Sequence, residues 1–258
     1  MRSRPRSNSH SVDISEKAGV RFLHLGTDYI QGAMRIARPW ALELSYTREM
    51  MASLLLRAGG NWPRRALLVG LGAGSLAKFI YRNLPDCRIT VVEINPQIEF
   101  VARQYFNLPD DPRRLRVVIG DGAEYMLQGG DSYDLILCDG FDPEGNAGVL
   151  DTPPFYQACR ARLSETGILA VNILGRNRGA KASTERITEA FSGRAVAFPP
   201  CDSGNVIAFA AAGDPVDLSM DEMRERALAL RETSGLDLLS TIARLEQDES
   251  RPAGRLAI

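Results

Sequence analysis

Histidine is nearly absent: the 258 residues contain two, His10 and His24. With His10 in a polar run and His24 in a strand-like one, histidine-dependent triads and histidine-rich metal centres are all but excluded by count. The four cysteines, Cys87, Cys138, Cys159 and Cys201, form no C-x-x-C pair. They read as reduced, packed thiols and offer no metal-site spacing, so no metal is expected. No apolar run approaches the roughly 18 residues that span a bilayer, and the first residues lack the apolar core of a signal peptide. A cytoplasmic chain with no membrane partner is therefore expected. A net charge of −1 leaves no electrostatic footprint for nucleic acid. Proton transfer, if any, falls to carboxylates, tyrosines or lysines.

The chain is organised around Arg65 to Glu93. Ala66-Leu67-Leu68-Val69 is an apolar run of the kind that forms a buried parallel strand, and it empties into Gly70-Leu71-Gly72-Ala73-Gly74. Leu76, Phe79 and Ile80 then follow the spacing of a helix that buries one face. The next strand ends on Glu93, 21 positions after Gly72, where a nucleoside-binding fold places the carboxylate that accepts both ribose hydroxyls. Dinucleotide enzymes use G-x-G-x-x-G. Here the spacing is G-x-G-x-G, with Ser75 at the third-glycine position, which favours an adenosyl-sulfonium ligand. A tight turn with no ligand is the plainer alternative.

Flanking segments complete an α/β pattern. Residues 1–18 are rich in Ser and Arg with little to bury, so an unstructured tail is expected. A hairpin of short strands and a third extended segment at Ala41 to Leu44 form a small N-terminal β appendage over 19–45. Tyr46 to Ala58 reads as a helix with Thr47 as its cap. Further strands are expected at Leu115 to Ile119, Tyr133 to Asp139, Gly167 to Ile173, and in a closing antiparallel pair, Arg194 to Phe198 with Asn205 to Ala211. The fold class is a Rossmann-like, methyltransferase-type seven-stranded sheet over 46–213. A helical segment, 214–258, follows it. Asp121 with Gly122 opens a helix after the third strand of that sheet, and Asp121 can cap the helix and also reach an adenine amino group. Asp139 stands at a strand end, where open sheets bind ligands, and begins a loop with Asp142.

The run Asp139-Gly140-Phe141-Asp142-Pro143-Glu144-Gly145 is close to D-x-x-D-P-x-G-P, a motif of the spermidine synthase family, with Asn146 at the final proline. The chain resembles that family of aminopropyltransferases from about Arg21 to Ala211. The resemblance implies decarboxylated S-adenosylmethionine as co-substrate and a diamine such as putrescine as the small-molecule partner. It places Gly70, Gly72 and Gly74 at the methionine-derived part of the donor, Glu93 at the ribose and Asp121 with Gly122 at the adenine. Gln31 is similar to the glutamine that reaches the same molecule. Asp139 would deprotonate the attacking amine and Asp142 would hold it. A homodimer is compatible with the resemblance.

Three departures keep other readings open. Ala73 replaces the family's aspartate for the donor's terminal ammonium. Arg48 lies where the family has His or Gln, and could bind the carboxylate of intact S-adenosylmethionine or be a solvated helix-face residue. The β appendage is also short beside the family's amino-terminal domain. The alternatives are an S-adenosylmethionine-dependent methyltransferase on the same fold and a non-catalytic nucleoside-binding homologue.

Overall fold

The computed structural model describes residues 11–27, 30–57, 59, 61–175, 179–248 and 254–258. Strands β1 (Val12–Lys17), β2 (Val20–Leu25) and β3 (Ile30–Arg35) form a three-stranded antiparallel sheet in the order β1-β2-β3. Strand β1 overturns the expectation of an unstructured tail as far as Ala18; residues 1–10 lie outside the described residues. Val12 and Ile14 alternate with polar neighbours and pack against the main core, and β1 pairs along its length with β2, from Val12 opposite Leu25 to Lys17 opposite Val20. Two apolar positions suffice for a strand whose other face is wet. The expected extended strand at Ala41 to Leu44 is instead a turn region leading into helix α1 (Ser45–Met50), which tightens into a 3-10 segment, Met51–Leu55. Thr47 does not cap α1. Its hydroxyl donates back to the Leu44 carbonyl at 2.7 Å.

The remaining elements are β4 (Arg65–Val69), α2 (Ser75–Asn83), β5 (Arg88–Glu93), α3 (Pro96–Tyr105), β6 (Leu115–Ile119), α4 (Gly122–Leu127), β7 (Tyr133–Cys138), α5 (Pro153–Ala161), β8 (Leu163–Ile173), α6 (Gly179–Ala190), β9 (Ala195–Ala197), β10 (Val206–Ala211), β11 (Asp217–Ser219), α7 (Met220–Ser234), α8 (Leu239–Glu246) and β12 (Arg255–Ala257). A second 3-10 segment, Gly148–Asp151, precedes α5. The seven-stranded sheet has the order β6-β5-β4-β7-β8-β10-β9, with β10 antiparallel to both its neighbours. The seven-stranded arrangement foreseen from the sequence is the one observed.

The period-2 alternation of strand side chains divides the core between the two faces. Leu68, Leu135, Leu137 and Ile168 face α2, α3 and the C-terminal helices. Leu67, Ile136, Leu169 and Val171 face α4, α5 and α6. All eight are buried, and each fully buried aliphatic side chain of this kind stabilises by about 1.5–3 kcal/mol relative to exposure. The C-terminal segment docks on this core. Strands β11 and β12 pair through Leu218 and Leu256, and Glu49 of α1 accepts from Thr241 at 3.0 Å and forms an ion pair with Arg244 of α8. No helix among the described residues is long and apolar enough to cross a membrane.

Candidate active site

Strands β5, β4 and β7 are adjacent and parallel, and the chain leaves β4 towards β5 first and reaches β7 later on its other side. The order therefore reverses at β4, and the crevice above the carboxyl ends of β4 and β7 is where an open sheet binds ligands. Main-chain bonds hold those ends together: the Gly70 amide donates to Val92 and the Asp139 amide to Val69, both at 2.9 Å. Gly70 has φ +98°, and a Cβ there would lie 2.2 Å from the Asp139 carbonyl oxygen. Only glycine permits this approach.

Glu93 ends β5 and is 7 % exposed. Its Oε2 accepts from the Leu71 amide and its Oε1 from the Asn95 amide, each at 2.9 Å. The carboxylate thereby joins the glycine-rich turn to the end of β5. Burial raises its pKa, and the main-chain donors of Asn95, Leu71 and Ile94 oppose the rise. Asp121 caps α4, its Oδ1 accepting from Ala123 at 2.8 Å and Glu124 at 3.0 Å. Gly122 packs so closely on β4 that a Cβ would stand 2.5 Å from Val69 Cγ1.

Strand β3 crosses the glycine-rich turn. A Cβ on Gly72 would meet the Gln31 carbonyl at 2.9 Å, and one on Gly32 would meet Ala73 Cβ at 2.6 Å. The main chain of Gln31 thus borders the turn that contains Gly70, Gly72 and Gly74. Ala73 is 2 % exposed. The turn itself, Gly70-Leu71-Gly72-Ala73-Gly74, contains no carboxylate.

Asp139 follows β7 directly. Its Oδ1 accepts from Asn172 Nδ2 at 2.8 Å, and the Tyr46 phenol lies beside the same carboxylate. Burial raises the pKa of Asp139, while these two donors hold it down. Burial also lifts the Tyr46 phenol well above 10.0, helped by the adjacent Asp139 charge, so Tyr46 remains a donor across the neutral range. Asp142 is exposed and turned into its own loop: it accepts from the Asn146 amide at 2.7 Å and from Asn146 Nδ2 at 3.0 Å. The arrangement is a turn closed on itself, and it leaves the carboxylate only part of its acceptor capacity. Arg48 donates to the carbonyls of Glu43 at 2.9 Å and Leu42 at 3.2 Å. Its guanidinium braces the approach to α1, which removes the ground for reading it as a carboxylate ligand.

Several residues of this crevice escape sequence reading. Asn172 donates to Asp139 from β8 and lies in no motif, whereas Tyr46, beside Asp139 from α1, stands one place before the position where the family has tyrosine. Ile94 and Ile119, 68 % and 43 % exposed, sit at the ends of β5 and β6, where apolar surface has no packing purpose and suits a purine face. An exposed isoleucine directly after a strand-ending acid was the available signal. Leu150 lies over Gly140, 2.6 Å from where a Cβ would be. A groove of about 660 Å³ between α6 and β9 shares no residue with this crevice. No cluster of three or more potential ligands for a metal ion occurs among the described residues.

Residues 43–177 match the spermine/spermidine synthase domain. A polyamine aminopropyltransferase of Neisseria meningitidis is 37 % identical over 246 residues, covering 95 % of this chain and 93 % of its own length. One from Chromobacterium violaceum is 37 % identical, covering 96 % and 94 %. Among solved structures, human methyltransferase-like protein 13 in complex with SAH superposes with a TM-score of 0.62 at 25 % identity, covering 82 % of this chain and 95 % of that one. A spermidine synthase in complex with the transition-state analogue AdoDATO gives 0.64 at 21 % identity, covering 90 % and 84 %, and supports the fold alone. With near-complete coverage in both directions and a domain match over residues 43–177, the chain belongs to the spermine/spermidine synthase family.

Proposed function

We propose that the chain is a polyamine aminopropyltransferase that moves the aminopropyl group of decarboxylated S-adenosylmethionine to a diamine such as putrescine. What supports this reading is that Glu93 ends β5 and Asp139 follows β7, the two strands that flank β4 and its glycine-rich turn. Residues 46–213 would be the catalytic domain, with the β sheet before it and the helices behind it as additions.

Glu93 accepts from ribose hydroxyls with the lone pairs left over from its two main-chain donors. Ile94 and Ile119 cover the purine, and Asp121 with Gly122 meets its edge. Gln31 and the turn at Gly70, Gly72 and Gly74 border the methionine-derived arm. A primary amine with a pKa near about 10 is protonated at neutral pH and has no lone pair to attack with. Asp139 takes that proton. The amine nitrogen then bonds to the methylene beside the sulfonium, the carbon–sulfur bond breaks, and its electron pair neutralises sulfur to give methylthioadenosine. Because the leaving group is already cationic, alignment and deprotonation are what the protein supplies. Asp142 holds the acceptor's charge with whatever capacity Asn146 leaves it.

Ala73 favours a second reading, methyl transfer from S-adenosylmethionine, because the turn offers no acid to a terminal ammonium, and the intact donor, unlike the decarboxylated one, carries its own carboxylate beside that charge. The two separate by product. Incubation with decarboxylated S-adenosylmethionine and a panel of diamines releases methylthioadenosine under the first reading. Release of S-adenosylhomocysteine from intact S-adenosylmethionine, with no reaction of the decarboxylated donor, would establish the second.

A further inference from the structure

A chain of hydrogen bonds leads from Asp139 to the surface. Asn172 Nδ2 donates to Asp139 at 2.8 Å, Asn205 Nδ2 donates to Asn172 Oδ1 at 2.8 Å, and Ser203 Oγ donates to Asn205 Oδ1 at 2.7 Å. Ser45 Oγ donates to Ser203 at 3.1 Å. Asn172 and Asn205 are 5 % and 7 % exposed, whereas Ser203 is open to solvent. Two buried amides are thus satisfied only through one another and through the two ends of the chain.

The polarity of this chain is fixed from the Asp139 end. An ionised carboxylate accepts only, so it must face the amide nitrogen of Asn172. Asn172 then presents its oxygen to Asn205, which must offer nitrogen and turn its own oxygen to Ser203. Every donor points towards Asp139, and dipoles aligned in series strengthen one another in a low-dielectric interior. A protonated Asp139 donating to Asn172 would require both amides to turn over and Ser203 to find another acceptor.

We propose that Asn205 and Ser203 are positioning residues which, through Asn172, hold Asp139 in its ionised, proton-accepting form. This rests on the reading of Asp139 as the base. Among the described residues, the titratable groups facing this corner are Tyr46 of α1, beside Asp139, and Cys201 of the loop before β10, whose sulfur lies 3.1 Å from Ser203 Oγ and acts on Tyr46. Burial holds the Tyr46 phenol up, so Tyr46 stays neutral at pH 7 and the amide chain is the adjustable part of the environment.

The test is the pH dependence of kcat/KM for methylthioadenosine release by the full chain, in wild type, Asn205→Leu, Ser203→Ala and Ser203→Thr. The acid limb should move up by about one pH unit in Asn205→Leu and by less in Ser203→Ala. Activity would then be roughly ten-fold lower below the midpoint in Asn205→Leu and converge with wild type above it, while Ser203→Thr restores the wild-type limb. Loss by one factor at all pH values, or unshifted limbs in both variants, would overturn the inference. Ser203 is exposed, so Ser203→Ala decides the matter even if Asn205→Leu folds poorly. A wild-type protein that releases no methylthioadenosine would instead defeat the reading of Asp139, and this inference with it.

Discussion

Tyr46 in the first turn of α1 lies beside Asp139 at the end of β7, where its phenol holds the Asp139 pKa down and the Asp139 charge raises that of the phenol. Neither element would otherwise fix the other at this point, since α1 approaches the sheet from outside the β-α-β succession. Tyr46 and Asn172 both act on this carboxylate, and both are neutral. A base held between two neutral donors keeps its negative charge in a buried setting without losing it to a cation.

Asp139→Asn should reduce turnover by about 10²- to 10⁴-fold, the range expected for loss of a general base. The same variant should be no less stable than wild type at pH 7. Burial raises the folded-state pKa of Asp139, so its ionisation opposes folding: the stabilising contribution is complete below the unfolded carboxyl pKa and is lost as pH rises through the folded one. Asparagine removes the charge, and its single side-chain oxygen still accepts from Asn172. Thermal unfolding alongside initial rates checks both halves, and a large drop in Tm would show that the carboxylate is structural.

Glu93→Gln should cost both stability and nucleoside binding. Two main-chain donors, Leu71 and Asn95, face the two carboxylate oxygens. Glutamine must turn its NH2 towards one of them, leaving a buried amide unpaired at a cost of about 1–3 kcal/mol. Urea unfolding would report that cost, and calorimetry with methylthioadenosine should show weaker binding. Unchanged affinity would detach Glu93 from the ribose.

The sites most legible from sequence were those built by contiguous segments. Gly70 to Gly74, Glu93, Asp121 and Asp139 each follow a strand within a residue or two, so the rule that parallel sheets bind ligands at their carboxyl ends places all of them. Asn172 and Asn205 carry no such signal: their pairing depends on β8 and β10 lying side by side, with Val206 opposite Ile173. Strand β1 was missed because a strand wet on one face shows only two apolar residues. The short strands β11 and β12 meet across 35 intervening residues and have no local periodicity to read. Arg48 was ambiguous in sequence because its partners are main-chain carbonyls, which composition does not mark.

Asn146→Ala should lower the acceptor KM a few-fold with little change in kcat. Asn146 stands where the family motif has proline, and its side-chain amide donates to Asp142 at 3.0 Å. Alanine keeps the main-chain donor that closes the turn and returns acceptor capacity to Asp142. Asp142→Ala should move KM the other way. If neither variant alters KM for any diamine, Asp142 does not meet the substrate and serves only its own loop.

Lys78 gives a pH test of stability independent of catalysis. It is 1 % exposed on α2, and its ammonium donates to the Phe106 carbonyl, the C-cap of α3, at 2.6 Å. Burial lowers its pKa from 10.5 to about 8. Between those values the unfolded chain retains a proton that the folded protein has released, so the contribution of this lysine to stability rises with pH, complete above the unfolded pKa and lost as pH falls through 8. Lys78→Met abolishes the titration. The stability of wild type relative to Lys78→Met should therefore increase by about 2 kcal/mol between pH 7.5 and pH 9.5 in urea unfolding, with other titrating groups cancelling in the difference. A constant difference over that interval would mean that the ammonium is solvated in the folded protein, and that α2 and α3 are packed less tightly behind the glycine-rich turn.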